Sequence, residues 1–202
     1  MSRIIIRHVA LTVKGLATRQ RIIEGAAVHL RGDDPGDVTL DDIRAVTNTS
    51  KGQIFHYFPG GKEELLLAVA RYEADRVLDD QRPYLGALES WAAWQRWRDA
   101  VVERYRAQGK NCPLAALMSQ VGNTPGAAEV ATTLLAQWQT HVRQGITRMQ
   151  AGGLVRADLD ADRVASAFIA GIQGGVQVLR STGSIDHLEA ALDTLIDHLR
   201  GG

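Results

Sequence analysis

The segment TSKGQIFHYFPGGK, from Thr49 to Lys62, places a short helix between a helix-start residue and a helix-breaking sequence. Ser50 is a favoured N-cap, and Pro59 followed by glycine ends the helix. Ile54 and Phe58 lie four residues apart and therefore share one face of this helix. This spacing predicts that the two apolar side chains anchor the helix to its neighbours and leave its other face outward.

Two helices are expected before this segment. Apolar residues recur with helical periodicity from Thr18 to about Arg31, and GDDPGD at residues 32–37 reads as a loop. Thr39 starts a second helix, with Asp42 three residues later as its capping-box partner. Residues 47–49 form a tight turn. A helix, a three-residue turn and a helix, with a supporting helix before them, make the helix-turn-helix layout, whose second helix enters the DNA major groove.

The predicted outward face of the second helix carries groups suited to DNA. Gly52 lets the backbone approach a phosphate or base edge, and Gln53 can bond an adenine edge. Lys51 or His56 can reach phosphate or guanine. The next helix begins near Lys62, where helix amides and the lysine can hold a phosphate. Two alternatives stay open: Gln53 can instead complete a capping box, and similar helix pairs occur in ordinary bundles.

Residues 18–66 resemble the N-terminal domain of TetR-family transcriptional regulators. Three segments of this chain match the family pattern: TLDDIRAV, SKGQIFHYF and KEELL. The sequences FPGGK and NCPLAAL further resemble the LmrA/YxaF-like subgroup, many of whose members control efflux genes. The resemblance implies DNA contacts at these motif positions, with Gln53 the first choice for a base contact: Thr39, Ser50, Lys51, Gly52, Gln53, Phe55, His56, Tyr57 and Lys62.

Two positions depart from the family pattern. The turn usually reads Ala-Gly-Val, whereas this chain has Thr47, Asn48 and Thr49, so the turn is open to a different geometry. The tyrosine that commonly touches phosphate is Phe55, which has no hydroxyl. At that position only a packing contact is expected.

The whole chain is predicted to be all-α, with about nine helices. The resemblance divides it into an N-terminal arm (1–17), a helix-turn-helix domain (18–64) and a ligand-binding and dimerisation domain (65–202). Later helices are expected from Lys62 to Asp80, Leu88 to Gln108, Pro113 onward, Ala127 to Gln150, after Asp160 as a cap, and after Ser184 as a cap.

The last two helices are predicted to form a twofold dimer interface. Small residues permit close helix approach and large ones fill the seam, which fits an intermolecular four-helix bundle. A purely intramolecular core is the alternative. The predicted interface residues are Phe168, Gly171, Ile172, Gly175, Val176, Leu179, Leu188, Leu192 and Leu195.

Tryptophans at three-residue spacing suggest an aromatic cavity for a flat, lipophilic effector. Such a stripe is also typical of ordinary core, and that alternative stays open. The predicted lining is Trp91, Trp94, Trp97, Met118, Trp138, Met149, Phe168 and Gln173.

Composition narrows the class of protein. The 202 residues carry zero net charge, yet residues 1–32 hold six basic residues against one acid, which suggests a local anionic partner. The single cysteine, Cys112, suits a cytoplasmic protein and reads as a buried thiol, with oxidation sensing as the alternative. The sequence contains no apolar run of about 18 residues, so no membrane span is predicted.

No metal-ligand spacing, cofactor motif, nucleophile–base pair or phosphate loop argues for an enzyme. We therefore expect a homodimeric repressor that a small lipophilic effector releases from a palindromic double-stranded DNA operator. The alternative is a helical adaptor of the same fold that has lost DNA binding.

Overall fold

The computed structural model describes residues 11–31, 39–109 and 111–201, which are all-helical apart from turns and connecting segments. These ranges contain ten helices: α1 (Val13–Leu30), α2 (Leu40–Thr47), α3 (Lys51–Tyr57), α4 (Lys62–Asp79), α5 (Arg82–Leu85), α6 (Trp91–Gln108), α7 (Pro113–Gln120), α8 (Ala127–Ala151), α9 (Ala161–Thr182) and α10 (Asp186–Arg200). The expected total of about nine omitted α5, which is too short to show periodicity. Pro83 does not merely end the preceding helix, because it also lies in the first turn of α5.

Helices α1 to α3 and the first half of α4 enclose a small core, which we call the head. Its fully buried members include Ile22, Ala26, Ile43, Ile54, Phe58, Leu65 and Val69. Helix α4 runs unbroken across the predicted boundary between residues 64 and 65. It is therefore the element that joins the head to the rest of the chain.

The structure changes several predicted starts. Helix α1 begins at Val13, because the Thr12 hydroxyl caps it by accepting a hydrogen bond from the Gly15 amide. The last part of the predicted arm (1–17) is thus helical, while residues 1–10 and the predicted loop at 32–37 lie outside the described residues. Helix α6 begins at Trp91 rather than Leu88, since Ser90 caps it.

At the other end of the chain, Asp160 caps α9 as predicted, by accepting from the Arg163 amide. Ser184 does not occupy the N-cap of α10, which is Ile185. The Ser184 hydroxyl still accepts a hydrogen bond from the Asp186 amide, at 3.2 Å.

The larger core lies among α4 to α10. Helices α9 and α10 pack along each other, α8 packs on α9, and α10 also contacts α6. Gly175 allows the close approach of α10, because a Cβ added there would lie 2.6 Å from the Leu188 Cα. Helix α7 packs on α4, and α4 packs on α8. Movements of α7 or α8 therefore bear directly on the connecting helix.

An ion pair joins the end of α1 to the middle of α4. The Arg31 Nε donates to Glu73 Oε1 at 2.8 Å, and the Glu73 side chain is fully buried. Burial raises the pKa of the Glu73 carboxyl, because desolvation outweighs the attraction of Arg31.

Candidate functional site

Asn48 and two threonines set the geometry of the turn before α3. Asn48 adopts the left-handed conformation, with φ of 48°, which asparagine tolerates better than most residues. Thr47 and Thr49 are buried on either side, and the Thr49 hydroxyl donates to the Thr47 carbonyl at 3.1 Å. Gly25 admits the turn against α1, since a Cβ there would lie 2.6 Å from Thr47 Cγ2.

The start of α3 is held by the reciprocal bonds of a capping box. The Gln53 amide donates to Ser50 Oγ at 3.2 Å, and the Ser50 amide donates to Gln53 Oε1 at 3.0 Å. The capping role of Gln53 is therefore real in the DNA-free chain. Its Nε2 group makes no hydrogen bond with the described residues, so a donor remains for a base edge.

The two faces of α3 divide as predicted. Ile54 and Phe58 have no exposed surface, and the Arg19 guanidinium lies over the Phe58 ring, 4.9 Å from its centroid. The opposite side is open in the protomer, with these residues exposed: Lys51, Gly52, Gln53 and His56.

Gly52 packs against no other part of the chain that the structure describes. Among the described atoms, a Cβ built on Gly52 would approach nothing closer than Ser50 Oγ, at 4.0 Å. A glycine in a helix interior costs about 1 kcal/mol relative to alanine. Packing among the described residues therefore gives no reason for a glycine at the second position of α3.

Phe55 and Tyr57 take different positions beside this face. Phe55 is 43% exposed and packs over Gly61, where an added Cβ would lie 3.3 Å from its ring. Tyr57 is half-buried against the head core, with its ring edge-on to His56 at a centroid distance of 4.8 Å. Phe55 offers an apolar edge, as predicted from its missing hydroxyl.

The first turn of α4 lies against Phe55 of α3, and the first turn of α2 lies close enough for the Lys62 charge to act on Asp42. Thr39 forms the predicted capping box with Asp42, and its hydrogen bonds lower the pKa of the Asp42 carboxyl. Lys62 opens α4 and is half-buried. Within the described ranges no side chain caps α4, although Glu64 accepts a hydrogen bond from the Gly60 amide at 2.7 Å. The amides of this first turn can bind a phosphate.

The predicted effector residues do not come together in one cavity. Five of them have no exposed surface and belong to the larger core: Trp94, Trp97, Trp138, Met149 and Phe168. Trp97 donates its indole N–H to Gln81 at 3.1 Å, whereas the indole nitrogens of Trp94 and Trp138 have no partner among the described residues. Trp91 lies at the surface beneath the Arg200 guanidinium, 5.2 Å from its ring centroid.

Met118 and Gln173, the remaining two, meet in a surface groove between α7 and α9 of about 490 Å³. We call it the α7–α9 groove. A second groove of about 270 Å³ lies between α4 and α8 and includes Leu67, Arg71 and Glu129. Sequence periodicity assigned the tryptophans to a helix face but could not tell that neighbouring helices cover that face.

Most of the predicted interface residues are covered by the protomer's own helices. The buried ones are Phe168, Ile172, Gly175, Val176, Leu179, Leu188 and Leu192. These side chains pack inside the protomer, with Gly175 against Leu188 in the seam between α9 and α10 and Phe168 against the tryptophans of α6. They leave little surface for a second protomer. Gly171 and Leu195 keep some exposed surface at the edge of that seam.

Cys112 is buried, and burial raises the pKa of its thiol, which fits the structural interpretation. The described residues contain no group of three or more metal-ligating side chains that could hold an ion. None of the helices described here is both long and apolar enough to cross a membrane.

Comparisons with known proteins agree with this architecture. Residues 22–69 match the profile of bacterial regulatory proteins of the tetR family, and residues 87–195 match the tetracyclin repressor-like C-terminal domain. The chain belongs to the TetR family of transcriptional regulators. Members of this family are regulators rather than enzymes. The LmrA/YxaF-like subgroup stays a prediction.

Among curated TetR relatives, the transcriptional regulator AcuR of Cereibacter sphaeroides is 27% identical over 162 residues, covering 78% of this chain and 74% of AcuR. An uncharacterized HTH-type regulator of Mycobacterium tuberculosis, Rv0196, is 27% identical over 52% of this chain and 54% of its own length. The chain thus spans about half of that relative. The repressor AcnR of Corynebacterium efficiens is 38% identical over 71 residues, which are 35% of this chain and 37% of AcnR.

Solved structures show the same fold. A TetR regulator from Chloroflexus aurantiacus superposes with a TM-score of 0.79 at 25% identity, covering 94% of this chain and 98% of its own. A TetR regulatory protein from Rhodobacter sphaeroides gives a TM-score of 0.76 at 24% identity, with 90% and 98% covered.

Proposed function

We propose that this TetR-family regulator is a dimeric repressor that reads a palindromic operator with α3 and leaves it when a small effector binds the C-terminal helices. The observation that carries the proposal is Gly52, an exposed helical glycine that the protein's own packing does not require. Beside it stand Gln53 and Lys51, which suit a base edge and a phosphate. The relative AcnR, which is named as a repressor, favours repression over activation.

The proposed contacts divide by chemistry. Gln53 reads a base edge through its Nε2 group, while Gly52 brings the α3 backbone close to the groove wall. Phosphate contacts fall to Thr39, Ser50, Lys51, His56, Tyr57 and Lys62, with Phe55 packing against a sugar. Such a protein acts where its DNA is, in the cytoplasm.

The proposed dimer interface is the exposed face that α9 and α10 share. Small and apolar residues with exposed or half-exposed surface line it: Ala167, Ala170, Gly171, Val178, Ala191 and Leu195. Two such helix pairs would form a four-helix bundle across a twofold axis. The two heads would then read half-sites about 34–36 Å apart, or a multiple of that spacing.

Gel shift with DNA from upstream of the gene tests the DNA-binding role. We expect binding that falls linearly with salt on a log–log plot, because each phosphate contact releases counterions. Random DNA of equal length is the control and should bind more weakly at every salt concentration. Absence of binding at low salt would instead favour the adaptor that has lost DNA recognition.

A further inference from the structure

The α7–α9 groove combines an apolar wall with a polar one. Leu114, Ala115 and Val176, which are nearly buried, form its apolar floor, and the half-buried Met118 lies beside them. Across from it, Gln173, Gln177 and Arg180 follow one another at intervals of four and three residues, so they lie on one face of α9. A volume of about 490 Å³ lies within the range of small-molecule sites.

Among the described residues that line the groove, Arg180 is the only charged one, and none is a carboxylate. Within the described part of the chain, no Asp or Glu lies within ion-pairing distance of its guanidinium, and its Nε atom is buried without a hydrogen-bond partner. By contrast, Arg98 pairs with Asp193 and Arg143 pairs with Asp162. The terminal nitrogens of the Arg180 guanidinium are therefore the ones that we expect an external acceptor to reach.

We infer that the α7–α9 groove binds an amphipathic monoanion, a carboxylate on a medium-length hydrocarbon chain, as the effector. A planar guanidinium matches a carboxylate through paired N–H···O bonds, and the Gln177 and Gln173 amides can donate to the same oxygens. The hydrocarbon chain covers Leu114 and Met118. Because the described lining offers one cation, a single negative charge is favoured over a phosphate dianion.

The groove is placed to influence the head. Its α7 wall packs on α4, and α4 holds the end of α1 through the Glu73–Arg31 pair. A ligand that displaces α7 therefore acts on the helix that connects the two domains. It releases DNA only if it binds the displaced arrangement more tightly. This regulatory part rests on the proposed function.

Calorimetric titration of the full chain with sodium octanoate tests the site. We expect one octanoate per protomer, at least tenfold weaker binding to Arg180→Gln, and unchanged binding to Arg163→Gln, which removes an exposed arginine of the same helix. Octan-1-ol, which has the chain but no charge, should bind at least tenfold more weakly than octanoate. Ser119→Trp, at the groove rim, should abolish binding while Arg180 remains.

Equal octanoate affinity for the wild type and Arg180→Gln, or no octanoate binding by the wild type, would overturn the site. Thermal melting of each variant shows whether it is folded. Gel shift on the same protein separates the two proposals. DNA binding without octanoate binding removes the effector site and leaves the regulator, whereas octanoate binding without DNA binding does the reverse.

Discussion

Gly52 separates stability from function more clearly than any other single residue of α3. Replacement by alanine meets no described atom closer than 4.0 Å, and at the second position of α3 it should remove part of the ~1 kcal/mol that glycine costs in a helix interior. We therefore expect Gly52→Ala to melt at a slightly higher temperature. It should bind operator DNA at least tenfold more weakly, because the added methyl group would face the DNA major groove.

Thermal melting and gel shift on one preparation measure both effects. Gly25→Ala is the matched control, since its Cβ would lie 2.6 Å from Thr47 and should lower the melting temperature instead. A Gly52→Ala variant that binds DNA with wild-type affinity would remove the reason for placing α3 against DNA.

Single residues were predictable from sequence where the determinant is local. Both capping boxes follow from spacing, because an N-cap and its partner three residues later need only one helix start. The turn geometry was not predictable, since Thr47 in place of alanine depends on the glycine of α1 that faces it. Nothing in the sequence singled out Arg180, whose role depends on the absence of a nearby carboxylate from other helices.

At the scale of elements, α1 and α4 are coupled by a buried ion pair that can be tested for its energy. Glu73→Leu leaves the Arg31 guanidinium without its partner and should destabilise the protein by about 3 kcal/mol. Adding Arg31→Met should restore stability to within about 1 kcal/mol, because two apolar side chains replace a desolvated pair. Urea unfolding at one protein concentration measures both free energies.

Asp79→Leu is the control, because it removes an exposed ion pair with Arg82. It should lower the free energy of unfolding by less than about 1 kcal/mol.

The Arg31–Glu73 pair also makes the stability of the fold depend on pH. Because the folded-state pKa of Glu73 is raised above the ordinary value of 4.5 for a glutamate, its contribution favours folding below that pH and is lost as pH rises through the folded pKa. The double variant should lack this part of the pH profile. Equal pH profiles, or full wild-type stability in Glu73→Leu, would show that the pair does not hold α1 on α4.

Elements with strong periodicity were predicted nearly to their ends, such as α4 and α8. The sequence did not predict which helix covers each apolar face, because periodicity identifies a face and not the element that packs on it. The tryptophans of α6 illustrate this limit: Trp94 and Trp97 contact Phe168 of α9 at centroid distances of 5.4 and 5.7 Å. That contact fills the space in which a ligand cavity was expected.

At the scale of the whole molecule, the proposed twofold assembly depends on the small exposed residues of α9. Ala170→Arg should shift the protein toward monomer and weaken operator binding at least tenfold, because a buried, unpaired charge is costly and a single head reads only half a site. Sedimentation velocity at several concentrations measures the assembly. Ala136→Arg, at an exposed position of α8, is the control and should leave it unchanged. An unaltered dimer in Ala170→Arg would place the interface elsewhere.

The central claim is that the outward face of α3 reads base edges, and the affinity of Gln53→Ala for operator and random DNA tests it most directly. With an operator selected from randomised DNA, we predict a loss of about 1–3 kcal/mol on the operator and none on random DNA, while Gln95→Ala on α6 binds both like the wild type. Melting curves should confirm that the variant head remains folded without the bond to the Ser50 amide. An equal loss on both DNAs, or no loss on either, would contradict the account.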